Sequence, residues 1–160
     1  MKFLVDAMFG RLARFLRIFG YDTVYADDLE EFFGMVPVPD EKLAEYALEN
    51  NRIIITRDYS FYKKNRDRSI FLEGEGVYNY LNQLKAKLNL EYNFEMGNAR
   101  CSICNAELKK VEDKNNIMND VKPQTLKYYQ NFFQCTNPKC KKVYWKGTHI
   151  EKIMKKLKVP

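Results

Sequence analysis

Four cysteines place the tightest constraint on this chain of 160 residues, because all lie beyond residue 100, at Cys101, Cys104, Cys135 and Cys140. The first two form a C-x2-C pair and the last two a C-x4-C pair. Each spacing lets a tight turn present two thiolates to one tetrahedral ion, with Zn–S bonds of about 2.3 Å. Two such knuckles separated by a hairpin-sized insert describe a zinc ribbon with no cysteine left over. A disulfide reading would need an oxidising compartment, which nothing else in the sequence supports. Four thiolates fill the coordination sphere, so the expected zinc is structural and helps fold a region too small for its own core.

The residues before the ribbon follow a different pattern. Lys2–Val5, Tyr21–Tyr25, Arg52–Thr56 and Ser69–Leu72 read as strands. Between and after them, Phe9–Gly20, Asp40–Asn50, Tyr59–Lys64 and Val77–Leu88 read as helices. Leu12, Phe15, Leu16 and Phe19 share one helical face; Leu43, Ala44, Ala47 and Leu48 are expected inward on another. The continuous Ile53-Ile54-Ile55 run fits a strand buried on both faces of a parallel sheet. Alternating strands and helices predict a three-layer α/β domain over residues 1–92, followed by a zinc-ribbon domain over residues 93–160, with residues 91–100 as the link. No apolar run approaches the roughly 20 residues of a membrane span. Asp6 also interrupts the opening residues before a signal-peptide core forms. The expectation is a soluble, cytoplasmic protein with no membrane partner.

In a parallel sheet, ligands sit beyond the carboxyl ends of the strands. Asp6 ends the first strand, Asp58 follows the third, and Asp40 opens the helix leading into the third. Clustered carboxylates repel unless a cation neutralises them, and Mg²⁺ or Mn²⁺ with oxygen ligands is the usual solution. Such an ion can polarise a phosphodiester and activate water. Asp40 and Asp58 are equally placed to cap or charge the helices they precede. Other strand-end chemistries fit less well. An aspartyl-nucleophile phosphatase wants an acid two residues after Asp6, where Met8 stands. A phosphoacceptor domain wants a lysine where Glu73 follows the fourth strand. No glycine-rich phosphate loop follows the first strand, and the single histidine, His149, allows no Ser/His/Asp triad.

Charge is unevenly distributed. Residues 1–92 carry 13 basic and 15 acidic side chains, net −2; residues 93–160 carry 14 basic and 6 acidic, net +8. A basic third on a near-neutral body suits a polyanion partner or a solvated lysine face. Arg11, Arg14 and Arg17 recur every three residues on the first helix and form a stripe. They are available to phosphates or to Asp22, Asp27 and Asp28. Arg57 is a second phosphate contact or a carboxylate partner. In the ribbon, Lys139, Lys141, Lys142 and Lys146 interleave with Tyr144 and Trp145, shortly after Tyr128, Tyr129, Phe132 and Phe133. Basic and aromatic interleaving suits single-stranded nucleic acid, whereas packing is the alternative for the aromatics, favoured for Phe132 and Trp145. His149 is either a nucleic-acid contact or a hydrogen-bonded structural residue.

Several stretches together resemble the PIN-like RNase family named after the C-terminal domain of the Mut-7 exonuclease. They are Phe3–Asp6 through Gly10–Asp22, Asp40–Ala44, Arg52–Asp58, both cysteine pairs and Tyr144–His149, so the likeness spans nearly the whole chain. The resemblance implies a PIN-like α/β domain joined to a zinc ribbon, acting as a metal-dependent ribonuclease. Asp6, Asp40 and Asp58 would be its Mg²⁺- or Mn²⁺-binding acids, with RNA, rather than DNA, as substrate. Arg11, Arg14, Arg17, Arg57, Lys142, Lys146 and His149 are the expected substrate contacts. A fourth acid, common in such sites, has Asp67, Glu73 and Glu75 as candidates. The rival reading is a non-catalytic zinc-ribbon module that binds RNA or a ribosomal partner; a toxin-like nuclease is a further alternative.

Overall fold

The computed structural model describes residues 1–158. Four short strands, β1 (Lys2–Val5), β2 (Asp22–Tyr25), β3 (Ile53–Thr56) and β4 (Ser69–Phe71), form one sheet in the order β2-β1-β3-β4. Every pairing in it is parallel. Strand side chains alternate between faces, and the core divides accordingly. Phe3, Val5 and Ile55 point into one apolar cluster; Leu4 and Ile54 point into the other. The isoleucine run is thus buried on both faces, as a central parallel strand requires.

Helices cover both faces. Helix α1 (Gly10–Ile18) places Leu12, Phe15 and Leu16 against the first cluster. On the second face, α2 (Glu30–Phe33) and α3 (Asp40–Glu49) pack alongside α4 (Tyr59–Lys64). Helix α5 (Val77–Leu88) returns to the first face through Val77, Leu81 and Leu84. Leu48, expected inward, is 61% exposed. It lies about 140° around α3 from Leu43, so the buried stripe set by Leu43 and Ala47 leaves it outside.

The remaining elements are smaller. Strands β5 (Leu108–Lys110), β6 (Phe133–Cys135) and β7 (Val143–Tyr144) form an antiparallel sheet in the order β5-β6-β7. The insert between β5 and β6 holds helix α6 (Pro123–Tyr128). Contrary to expectation, this region has a small core of its own, in which Ile117, Val121, Phe132 and Val143 are buried together. The last helix, α7 (Thr148–Leu157), lies back on the α/β core, with Ile153 buried in the cluster lined by α1 and α5. The segment 91–100 is equally packed down. The Tyr92 hydroxyl donates to the Leu81 carbonyl at 2.7 Å, and Phe94 packs on the same cluster. At Gly20, where φ is +88°, a Cβ would meet the Asn98 carbonyl oxygen at 2.7 Å, so this crossing demands glycine.

Polar groups join the two sheets. Arg17 is 2% exposed and is not part of a surface stripe. Its Nε donates to the Thr23 carbonyl, its Nη1 to the carbonyls of Ser102 and Ile103, and its Nη2 to Asp28 at 2.6 Å. With its donors committed this way, Arg17 is a structural clamp, which corrects its assignment as a substrate contact. Beside it, Asn105 donates to Asp22 and accepts from the Thr23 amide, while Arg52 donates to Asp22 at 2.8 Å.

Burial alone would push the Asp22 carboxyl up. Hydrogen bonds from Arg52 and Asn105, with the charges of Arg52 and Arg100, outweigh it and hold the pKa below its ordinary value of 3.8. A depressed pKa means the unfolded chain takes up the proton first. The stabilisation from Asp22 is therefore full above about pH 4 and is lost as pH falls through the folded-state value. Asp22→Asn is expected to cost on the order of 1–2 kcal/mol in urea unfolding at pH 7, with the difference from wild type shrinking below pH 4.

Candidate functional site

The strand order reverses direction between β1 and β3, since the chain runs from β1 outward to β2 and then back across to β3. The carboxyl ends of these two strands therefore flank the crevice where α/β sheets bind ligands. Asp6 follows β1 directly and is 8% exposed. Its Oδ1 accepts from the Ala7 amide at 2.7 Å, and its Oδ2 accepts from the Thr56 hydroxyl at 2.6 Å. The Thr56 hydroxyl oxygen in turn accepts from the Asp58 amide at 2.9 Å. One buried hydroxyl at the end of β3 thus fixes both acids relative to each other. Thr56 was not singled out from the sequence; the signal was a threonine ending an apolar strand two residues before an acid.

Asp58 also caps α4, its Oδ1 accepting from the Phe61 amide at 2.9 Å. Asp40 stands in the first turn of α3 and makes no capping bond there. Burial raises its pKa first, and the nearby negative charges of Asp6 and Asp58 raise it further. Like charges act in this way only at short range, so the three acids expected from the sequence share one electrostatic neighbourhood. Asp6 and Asp58 each keep lone pairs beyond the bonds described, because an ionised carboxylate has about four acceptor sites. All three offer oxygen ligands, the kind Mg²⁺ and Mn²⁺ take, but their carboxylate oxygens do not all lie within 4.8 Å of one another.

Other acids are sorted by topology. Asp67 precedes β4 and lies at the opposite edge of the sheet, whereas Glu73 and Glu75 follow the carboxyl end of β4. Asp27 also stands at the carboxyl edge, after β2. The Tyr25 hydroxyl lies 2.8 Å from its carboxylate and 2.7 Å from the Ala7 carbonyl. Burial and the Asp27 charge push Tyr25 up to about 12. Arg57 donates to the Gly74 carbonyl and the Tyr80 hydroxyl, fastening the loop after β4.

At the second centre, the four cysteines alone, among the described residues, bring three or more potential metal-ligating atoms within 4.8 Å of one another. Cys101 and Cys140 sulfurs lie 3.7 Å apart, and Cys104 and Cys135 sulfurs 3.4 Å apart. A tetrahedron with bonds of about 2.3 Å has edges of about 3.8 Å, so the cluster fits zinc and its spacing far exceeds a disulfide bond of about 2.05 Å. Burial opposes ionisation of Cys101. The Tyr144 hydroxyl at 3.1 Å and the backbone around Cys104 and Ile103 outweigh it, bringing the thiol down to about 7.

The basic side chains separate by exposure. Arg11, Arg14, Lys142, Lys146 and His149 are exposed, as are Lys139 and Lys141. Arg11 lies over the Phe15 ring and Lys142 over the Tyr144 ring, at 5.7 and 5.5 Å from the centroids. Phe132 is buried in the small core and Trp145 packs against it, while Tyr128 is 78% exposed. The purified chain is expected to carry about one zinc per molecule by elemental mass spectrometry, and Cys140→Ala to lose it, because three thiolates leave the tetrahedral site open.

No curated protein matches the chain, and no solved structure matches it. The family model described as the Mut7-C RNAse domain matches residues 1–157. That match covers both the acid-bearing parallel sheet and the four-cysteine module, and the chain belongs to the Mut7-C RNAse domain family.

Proposed function

We propose that this protein is a metal-dependent ribonuclease that hydrolyses RNA phosphodiester bonds at the carboxyl edge of its parallel sheet. The observation that carries the reading is the convergence of three acids at the switch point: Asp6 and Asp58 stand beyond adjacent parallel strands and are joined through the Thr56 hydroxyl, and Asp40, raised by burial and then by their charges, stands beside them. Such an arrangement is costly in isolation and is relieved by a divalent cation. Mg²⁺ or Mn²⁺ held by Asp6, Asp40 and Asp58 would supply Lewis-acid polarisation of the phosphodiester and of the attacking water. The chain's own residues orient the reactants. Thr56 fixes Asp6 and Asp58. Arg11 and Arg14, in the first and second turns of α1, hold phosphates through charge-assisted hydrogen bonds. Arg57 steadies the neighbouring loop and adds positive charge at the edge. Lys142, Lys146 and His149 extend the contact across the zinc ribbon, whose structural zinc keeps them in place. Four reduced thiols fit a cytoplasmic setting.

One observation favours a second reading. Both Asp6 oxygens accept hydrogen bonds and Asp58 caps a helix, as purely structural acids would. The protein would then be a non-catalytic zinc-ribbon module binding RNA or a ribosomal partner.

Cleavage of a labelled RNA in Mg²⁺ or Mn²⁺ separates the two. Asp6→Asn is expected to abolish cleavage while circular dichroism and zinc content stay unchanged; equal cleavage by this variant sinks the nuclease reading. Absence of products from the wild-type chain, with RNA binding intact, establishes the second. Thr56→Val is expected to lower the cleavage rate about 10–100-fold, the usual cost of losing a group that orients a metal ligand. Thr56→Ser, which keeps the hydroxyl, should retain most of it.

A further inference from the structure

A cleft of about 450 Å³ lies where α1, the segment after α5 and the zinc ribbon meet, away from the three acids. Its volume falls within the range of small-ligand pockets, ~300–1,000 Å³. Helix α1 contributes Arg11, Arg14 and Phe15; the connecting segment contributes Phe94 and Arg100; the ribbon contributes Lys142, Tyr144 and Trp145. His149 lines the same space, and no carboxylate does. Among the described residues, Arg11, Arg14 and Lys142 have no ion-pair partner. Aromatic walls with unpaired cations and no acids match one ligand chemistry: a flat π-system carrying negative charge, which is a nucleotide.

We infer that this cleft is a subsite that seats one unpaired nucleotide of a single-stranded RNA, its base against Trp145 and its phosphate on Arg14 and Lys142. The inference rests on the ribonuclease reading for the identity of the strand as RNA. Two features make it a strand subsite instead of a pocket for a free nucleotide. Arg11 lies at the start of α1, the helix that follows Asp6, and lines the cleft as well, so a strand leaving the acids meets this arginine before the cleft. Arg11 and His149 also line a neighbouring groove with Lys152 and Lys156 on α7, which continues the basic surface beyond the cleft. A base paired and stacked in a duplex cannot lay its face on Trp145 without unstacking. The walls hold a fixed spacing because Arg17, one turn along α1 from Arg14, is bonded to the carbonyls of Ser102 and Ile103.

Trp145 is the only tryptophan in the chain and lines this cleft, so its fluorescence reports a base seated there. The zinc-loaded full chain is titrated without added Mg²⁺ or Mn²⁺ against four probes: a single-stranded RNA 10-mer, the same backbone lacking bases, the corresponding duplex, and a mononucleotide. The expected result is quenching by the 10-mer, and weak or no quenching by the abasic strand and the duplex. The mononucleotide should require far higher concentration. Arg14→Ala and Lys142→Ala, both at exposed positions, are each expected to weaken 10-mer binding several-fold by anisotropy, with zinc content unchanged. Phe94→Ala tests the opposite wall if Trp145 substitutions disturb the ribbon core. Equal quenching by the abasic strand overturns the proposal, as does undiminished affinity in the Arg14 and Lys142 variants. Equal affinity for mononucleotide and strand also overturns it, pointing to a free-nucleotide site. RNA cleavage with Trp145 unaffected would remove the subsite and leave the nuclease reading standing. Specific quenching without cleavage in Mg²⁺ or Mn²⁺ would remove the nuclease reading and leave the subsite.

Discussion

The architecture turns on one buried guanidinium. Arg17 receives the carbonyl of Thr23 from β2, the carbonyls of Ser102 and Ile103 from the first cysteine knuckle, and the carboxylate of Asp28. A charge this deeply buried is tolerated only when its donors are satisfied, and removing one partner of such a set typically costs several kcal/mol. Satisfaction here requires three separate parts of the chain to be in place together. The α/β layer and the metal-binding module are therefore assembled around the same group, and α1 cannot shift relative to the knuckle without stranding it.

That fixed relation matters for the two faces of α1. The buried face holds Arg17 and the apolar residues that pack on the sheet. The exposed face carries Arg11 and Arg14, between the acid-bearing edge and the ribbon. Asn105 reinforces the join from the knuckle side by bonding both Asp22 and the Thr23 amide. Its φ of 66° lies in the left-handed region that asparagine tolerates better than most residues. The four-cysteine cluster lies in the knuckle, the knuckle carbonyls hold Arg17, and Arg17 holds the helix whose exposed side carries Arg11 and Arg14.

The acid edge follows a different logic, that of like charges placed close together by topology. Asp6 and Asp58 stand beyond adjacent parallel strands, and the Thr56 hydroxyl links them. Asp40 approaches from the start of α3 and feels both. Membership of the Mut7-C RNAse domain family accords with this arrangement. Within the sheet the local sequence already carries the geometry: a strand of β-branched residues, then a short polar turn, then a helix capped by the acid itself.

Much of this was legible from residue order alone, because local periodicity and ligand spacing are properties of neighbouring residues. The Ile53–Ile55 run specified a strand buried on both faces; Val77–Leu88 and Tyr59–Lys64 were readable as helices to the residue; and the cysteine spacings specified a four-thiolate cluster. The tail helix was not among the elements expected, although Ile150, Ile153, Met154 and Leu157 repeat at helical spacing, and which surface they cover is a long-range matter. Arg17 shows the limit most plainly. By spacing it is indistinguishable from Arg11 and Arg14, yet it is buried while they are exposed, because its position on α1 faces β2 and the knuckle. Leu48 failed for the converse reason, lying outside the stripe that packs on the sheet. Sequence by itself determined which elements form and which side chains can bind a metal or carry charge, since those are set by local geometry and chemistry. Only the tertiary structure decided which arginine became a clamp, which threonine joined two acids, and where the ribbon left a cleft, since each depends on groups distant in the chain meeting at one point.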